Sequence, residues 1–137
     1  MSHSFDPGPH NIAQTFVHLK DGGAGEPIPV GKDFWDMLAK GRYPQLETGR
    51  LLSQHVFAED WPVWERHPAG DELVMLLSGS ADFVLETASG EQIAELRRSG
   101  DYVLVPAGTW HTARTRVPAT ALFITPGHGT QHRAVKG

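Results

Sequence analysis

Two stretches of this chain hold residue types that could do chemistry at usable spacing. They are Glu65-Arg66-His67-Pro68-Ala69-Gly70-Asp71-Glu72 and Gly100-Asp101-Tyr102-Val103-Leu104-Val105-Pro106-Ala107-Gly108-Thr109-Trp110-His111. Between them they supply Glu65, His67, Glu72 and His111, two carboxylates and two imidazoles that can converge on one divalent cation. The chain has no cysteine, so any metal is left with His, Asp, Glu or water as ligands. That donor set suits Fe, Mn, Ni or Zn better than metals preferring soft ligands.

Strand parity supports the convergence. Residues two apart on a strand share a face, so Glu65 and His67 point one way and Trp64 and Arg66 the other. Pro68-Ala69-Gly70 makes a turn, and Glu72 then begins the next strand beside His67. Pro106-Ala107-Gly108 returns the chain so that His111 enters the same interior. Two carboxylates balance a divalent cation, which gives a reason to place them in an apolar barrel, where an unpaired carboxylate is costly. The plain alternative is a set of hydrogen-bonded barrel residues holding no metal. Glu65 is either a ligand or a hydrogen-bond partner of one, and we count it with the ligands.

The elements that must position these groups are short strands. They are expected near 49–57, 61–67, 72–77, 81–86, 92–97, 102–105, 110–116 and 120–125, separated by turns such as Ser78-Gly79-Ser80 and Ala88-Ser89-Gly90. Closely spaced strands without intervening helices indicate a sandwich or barrel. Ala81, Phe83 and Leu85 alternate with Asp82, Val84 and Glu86, while Leu73-Val74-Met75-Leu76-Leu77 is apolar on both faces. Upstream, Gly31 to Gly41 reads as one helix over about 32–40, with Phe34, Met37 and Leu38 on a single face. The expected division is an N-terminal extension (1–47) containing that helix, a barrel (48–126) and a C-terminal tail (127–137).

At 137 residues the chain is long enough for one core. A net charge of −4 without a basic run argues against nucleic-acid binding, and the apolar runs are too short for a membrane span. Met1 to Pro9 shows no basic segment followed by an apolar core, so no signal peptide is expected and a cytoplasmic location is the default.

The paired motifs resemble those of the cupin superfamily, which implies an all-β fold, a double-stranded β-helix or jelly roll. In the first motif His67 matches the second His, Glu72 the glutamate and Gly79 the closing glycine. In the second, Gly100, Pro106, Gly108 and His111 match position for position. The resemblance covers roughly residues 48–126. It departs at Glu59 for a leading Gly, at Thr115 for a final Asn and at Glu65 for the first His. The last exchange turns the usual three-His-one-Glu site into one of two His and two Glu.

The resemblance implies a mononuclear metal-dependent enzyme acting on a small organic molecule, of dioxygenase, isomerase or lyase type. A non-catalytic small-molecule or metal sensor that regulates a partner protein is the alternative. A homodimer is expected too, since small members of the superfamily often pair through N-terminal strands.

Other residues read more plainly. Asp71 belongs to a turn or the surface. His128 and His132 fall beside glycines in a solvated or partner-contacting tail. His55 reads as a sheet or surface histidine, with a place lining the pocket as the alternative. Trp61, Trp64 and Trp110 read as sheet packing ahead of an aromatic pocket wall, and Tyr102 as strand packing ahead of a proton donor near a metal. Arg114 and Arg116, opposite His111 in parity, are not expected to clamp an anion at the site.

Overall fold

The alternating segments pair into two antiparallel sheets that pack face to face. The computed structural model describes residues 5–136, so the expectation resting on Met1 to Ser4 lies outside the described residues. In chain order the strands are β1 (Thr15–Leu19), β2 (Gly25–Pro29), β3 (Arg50–Phe57), β4 (Val63–Arg66), β5 (Glu72–Ser78) and β6 (Ala81–Thr87). Then follow β7 (Gly90–Leu96), β8 (Tyr102–Val105), β9 (His111–Arg114), β10 (Ala119–Pro126) and β11 (Gln131–Ala134). A short helix α1 (Phe34–Ala39) and a 3-10 turn (Pro44–Glu47) lie between β2 and β3. One sheet runs β2-β1-β3-β10-β5-β8 and the other β11-β4-β9-β6-β7.

All eight expected strands form, within a few residues of their expected ends. The core lies between the sheets. Val74, Leu76, Val105, Ala121 and Phe123 of the six-stranded sheet meet Phe83, Leu85, Leu96 and Ala113 of the five-stranded one. The residues of β6 expected on one face, Ala81, Phe83 and Leu85, all belong to this core. Leu73, Met75 and Leu77 alternate with Val74 and Leu76 in β5 and are only half-buried.

Gly79 of the first motif closes the β5–β6 turn at φ +77°, a region open to glycine at little cost. A Cβ there would lie 2.0 Å from the Pro118 carbonyl oxygen, so the turn also needs the missing side chain. Thr115, where the motif has Asn, ties the same end of the barrel together: its hydroxyl lies 2.7 Å from the Ser80 carbonyl oxygen and its N–H donates to Asp60.

The extension is more ordered than one helix. β1 pairs with β3 and with β2, so a hairpin widens the six-stranded sheet. β2 reads Gly-Glu-Pro-Ile-Pro, and its two prolines suit it to the sheet edge it occupies. A second cluster joins Phe16, Ile28, Phe34, Leu46 and Leu51. Within α1 the expected face holds for Phe34 and Leu38 but not for Met37, which is 40% exposed because a helix of one and a half turns meets the sheet on a narrow stripe. Trp35 instead stacks on His55 of β3, ring centroids 4.5 Å apart.

Residues after 126 add one more strand. β11 pairs antiparallel with β4, setting His132 opposite Glu65 and Gln131 opposite Arg66. On the outer side of that sheet Arg133 lies over the rings of Trp64 and Trp110, and Arg66 lies over Trp110. Arg133 also pairs with Glu86, and Arg66 hydrogen-bonds Gln131. This grip holds a strand whose residues are all exposed.

Candidate metal centre

The four residues singled out by spacing meet at one place, and they come from both sheets. Glu65 of β4 sits directly opposite His111 of β9. His67 follows β4, and Glu72 opens β5 in the facing sheet. Glu72 shares its inward parity with Val74 and Leu76, so the pattern that builds the core also drives a carboxylate into it. The two motif loops are fastened to each other: the Gly108 N–H donates to the His67 carbonyl and the Ala107 N–H to the Asp71 carboxylate. Asp71 is thus the turn residue expected, with its side chain spanning 36 residues of sequence to hold the second loop.

Three of the four side chains are enclosed. His111 is 0% exposed, Glu72 2% and His67 4%. Glu72 reaches an oxygen toward each imidazole, with Oε1 3.0 Å from His111 Nε2 and Oε2 3.3 Å from His67 Nε2. Glu65 Oε2 lies 3.9 Å from His67 Nε2. One ligand atom each from Glu65, His67 and His111 fall within 4.8 Å of one another.

Every ring is turned the right way for a cation. The Thr109 carbonyl can only accept, so the His111 Nδ1–H donates to it at 3.0 Å, which leaves the Nε2 lone pair facing the centre. His67 Nδ1 is 2.8 Å from Thr130 Oγ1, with its Nε2 again inward. Glu72 Oε2 accepts from Thr125 Oγ1 at 2.6 Å. His67 Nε2, Glu72 Oε1 and His111 Nε2 are then buried with no hydrogen-bond partner, as is His18 Nδ1 away from this cluster. Buried polar atoms are normally satisfied. Three orphans aimed at one another's surroundings fit a divalent cation of the Fe, Mn, Ni or Zn type, since imidazole and carboxylate both serve such ions.

The electrostatics agree with that geometry. Burial alone would raise the Glu72 pKa, but the flanking His111 and His67 bring it down to about 2. Burial pushes His111 down, and Glu72, the Thr109 carbonyl and Glu65 outweigh it, so its pKa ends above the ordinary value. The centre therefore favours a carboxylate beside positive charge.

Three further contributors lie outside the expected ligand set. Thr130 and His132 lie in the segment expected to be a tail, yet Thr130 orients His67 and His132 Nε2 contacts Glu65 Oε1 at 2.9 Å. His128, the other tail histidine, is exposed and takes no part in this cluster. His55 lies between the Trp35 ring and the edge of Phe123, and burial lowers its pKa against the pull of Glu65 and Glu72. A histidine read as ordinary sheet packing therefore feels both carboxylates of the centre. Trp61 packs in the core, as expected. Arg114 and Arg116 line an open surface hollow of about 690 Å³ with Asp60, Asp82 and Arg97, and none of the four candidate ligands borders it.

No family model matches the chain, and no curated protein does either. Solved structures do. An oxalate oxidase in complex with the substrate analogue glycolate superposes with a TM-score of 0.51 at 15% identity, over 60% of this chain and 45% of that one. The E162A mutant of Bacillus subtilis oxalate decarboxylase gives 0.51 at 15% identity, over 64% of this chain and 24% of its own. A cupin-2 domain-containing protein from Shewanella frigidimarina aligns at 0.49 and 18% identity, over 56% and 70%. The chain spans less than half the length of either oxalate enzyme. Among the described residues no helix is long and apolar enough to cross a membrane. The two packed antiparallel sheets and the likeness to these barrels agree with the motifs: the fold of this chain is that of the cupin superfamily.

Proposed function

We propose that this protein is a mononuclear metal-dependent cupin enzyme acting on a small organic molecule. Glu65, His67, Glu72 and His111 hold one divalent ion of Fe, Mn, Ni or Zn. The observation that carries this reading is the set of three buried, unpartnered atoms, His67 Nε2, Glu72 Oε1 and His111 Nε2. Two carboxylates make the site harder than three imidazoles would, which favours Mn or Fe over Cu. One solved barrel of the same fold, B. subtilis oxalate decarboxylase, is described by its Mn(II) centres. A shared fold does not fix a reaction, so the site itself must bear the argument.

A divalent ion at this position would supply Lewis-acid polarisation of a substrate oxygen. The chain's own residues do the remainder. Burial excludes bulk water from three of the four ligands, and Glu65, with a side chain 24% exposed, marks the open side. His55, between the Trp35 and Phe123 rings, is an imidazole whose pKa burial lowers, available to a substrate as a hydrogen-bonding group.

The test is metal content of protein purified without a nickel column, followed by titration of the apoprotein with Mn²⁺, Fe²⁺, Ni²⁺ and Zn²⁺. One equivalent of bound ion is expected, abolished by the double substitution of His67 and His111 with Ala. Absence of any binding would sink the reading. The closure of the centre also suits a sensor without turnover. Incubation of the loaded protein with small organic acids under air, assayed for product and oxygen uptake, separates the two.

A further inference from the structure

The C-terminal strand holds two side chains against the metal centre, and nothing in its sequence advertises that role. β11 is exposed along its length, so burial of apolar surface contributes little to seating it. Its contacts are polar and directed instead. Outward, Gln131 and Arg133 engage Arg66, Glu86 and the rings of Trp64 and Trp110. Inward, Thr130 and His132 meet His67 and Glu65.

The approach to the strand is equally specified. Gly127 passes so close to the Pro44–Glu47 turn that a Cβ would lie 1.8 Å from the Leu46 carbonyl oxygen. Only a residue without a side chain permits that path, and the path leads the chain back along β4.

Resting on the metal-site reading above, we propose that Thr130 and His132 are positioning residues that retain the metal, with β11 acting as a latch on the open side of the centre. Thr130 accepts from His67 Nδ1 and fixes the ring with Nε2 inward. His132 donates to the outer oxygen of Glu65, Oε1, and leaves Oε2 turned toward His67. Arg133 touches no ligand; it holds the strand that carries His132 and that Thr130 leads into. Loss of such outer partners typically weakens metal binding about 10- to 100-fold.

The experiment loads wild-type and variant proteins with Mn²⁺, challenges them with excess EDTA and follows release by EPR. His132→Ala and Thr130→Val are each expected to speed release roughly 10- to 100-fold. Arg133→Ala is expected to speed it by a smaller factor. The apoprotein melting temperatures should stay within about 2 °C of wild type, as for other exposed substitutions. His132→Gln and Thr130→Ser, which restore a hydrogen-bonding group at each place, should return release toward the wild-type rate. Should His132→Ala destabilise the apoprotein beyond that margin, the Thr130→Val and Thr130→Ser pair decides the matter. Release at the wild-type rate from His132→Ala and Thr130→Val overturns the latch while leaving the metal site standing. A wild-type protein that takes up neither Mn²⁺ nor Zn²⁺ overturns both.

Discussion

Glu72 Oε1 and His111 Nε2 lie 3.0 Å apart in the closed interior, yet neither has a hydrogen-bond partner. The two groups attract, which lowers the Glu72 pKa and raises that of His111. The pair also bridges the sheets, Glu72 entering from the six-stranded one and His111 from the five-stranded one. An ion held there would pin the two layers together, and the first prediction concerns its removal.

Glu72→Gln keeps the shape of the side chain and deletes its charge. Metal affinity should fall by more than the roughly 100-fold upper range for losing an outer partner. Elemental analysis after dialysis should find well under one equivalent retained. Thr125→Val, which removes only the hydroxyl donating to Glu72 Oε2, should cost about tenfold.

Acidity should act on the apoprotein in a bounded window. Glu72 titrates near 2 when folded against 4.5 ordinarily, so its contribution is present above 4.5 and is lost as pH falls toward 2. His111 shifts the other way: its contribution is complete below 6.5 and fades as pH rises through its raised folded value. Thermal melts across pH should therefore place greatest apoprotein stability between these limits so far as this pair governs it. Loading with Mn²⁺ should reverse the alkaline limb, because the ion replaces the proton on His111. A melting curve with the same alkaline decline with and without Mn²⁺ would contradict this.

Gly79→Ala tests the scaffold rather than the chemistry. The new methyl would need φ +77° and would meet the Pro118 carbonyl oxygen at 2.0 Å. A loss of about 2–3 kcal/mol in urea unfolding is expected, the range for an imposed backbone strain. Gly90→Ala is the comparison. Its φ is also positive, at 112°, but a Cβ there would meet nothing within 4 Å, so the smaller loss should be its own.

His55→Leu should leave the fold intact, since the side chain already lies between the Trp35 and Phe123 rings. Metal content should match wild type. If His55 serves the substrate, kcat/KM should fall while Mn²⁺ binding does not change, a split that steady-state kinetics beside EPR would read.

The barrel was legible because its strands obey local rules. Glycine and proline turns bound them, and parity alone placed Glu65 with His67. What escaped the sequence had no periodic signal to give. β2 carries two prolines and holds its place by pairing with β1. β11 reads Gln-His-Arg-Ala without a buried face, and it exists because β4 and the Trp64 and Trp110 rings receive it. Thr130 and His132 therefore joined the site only once distant segments had been brought together, a tertiary fact that spacing could not contain.

That distance has a consequence for how the protein is made. Glu65 meets His132 across 67 residues and His67 meets Thr130 across 63. Contacts of such separation form late, after the loops between them have closed. A chain emerging from the ribosome as far as β9 already displays all four ligands, but not the two side chains that aim a pair of them. On the proposed reading, stable capture would wait until folding ends, and the ion would be a seal on the finished molecule and not a template for the growing one.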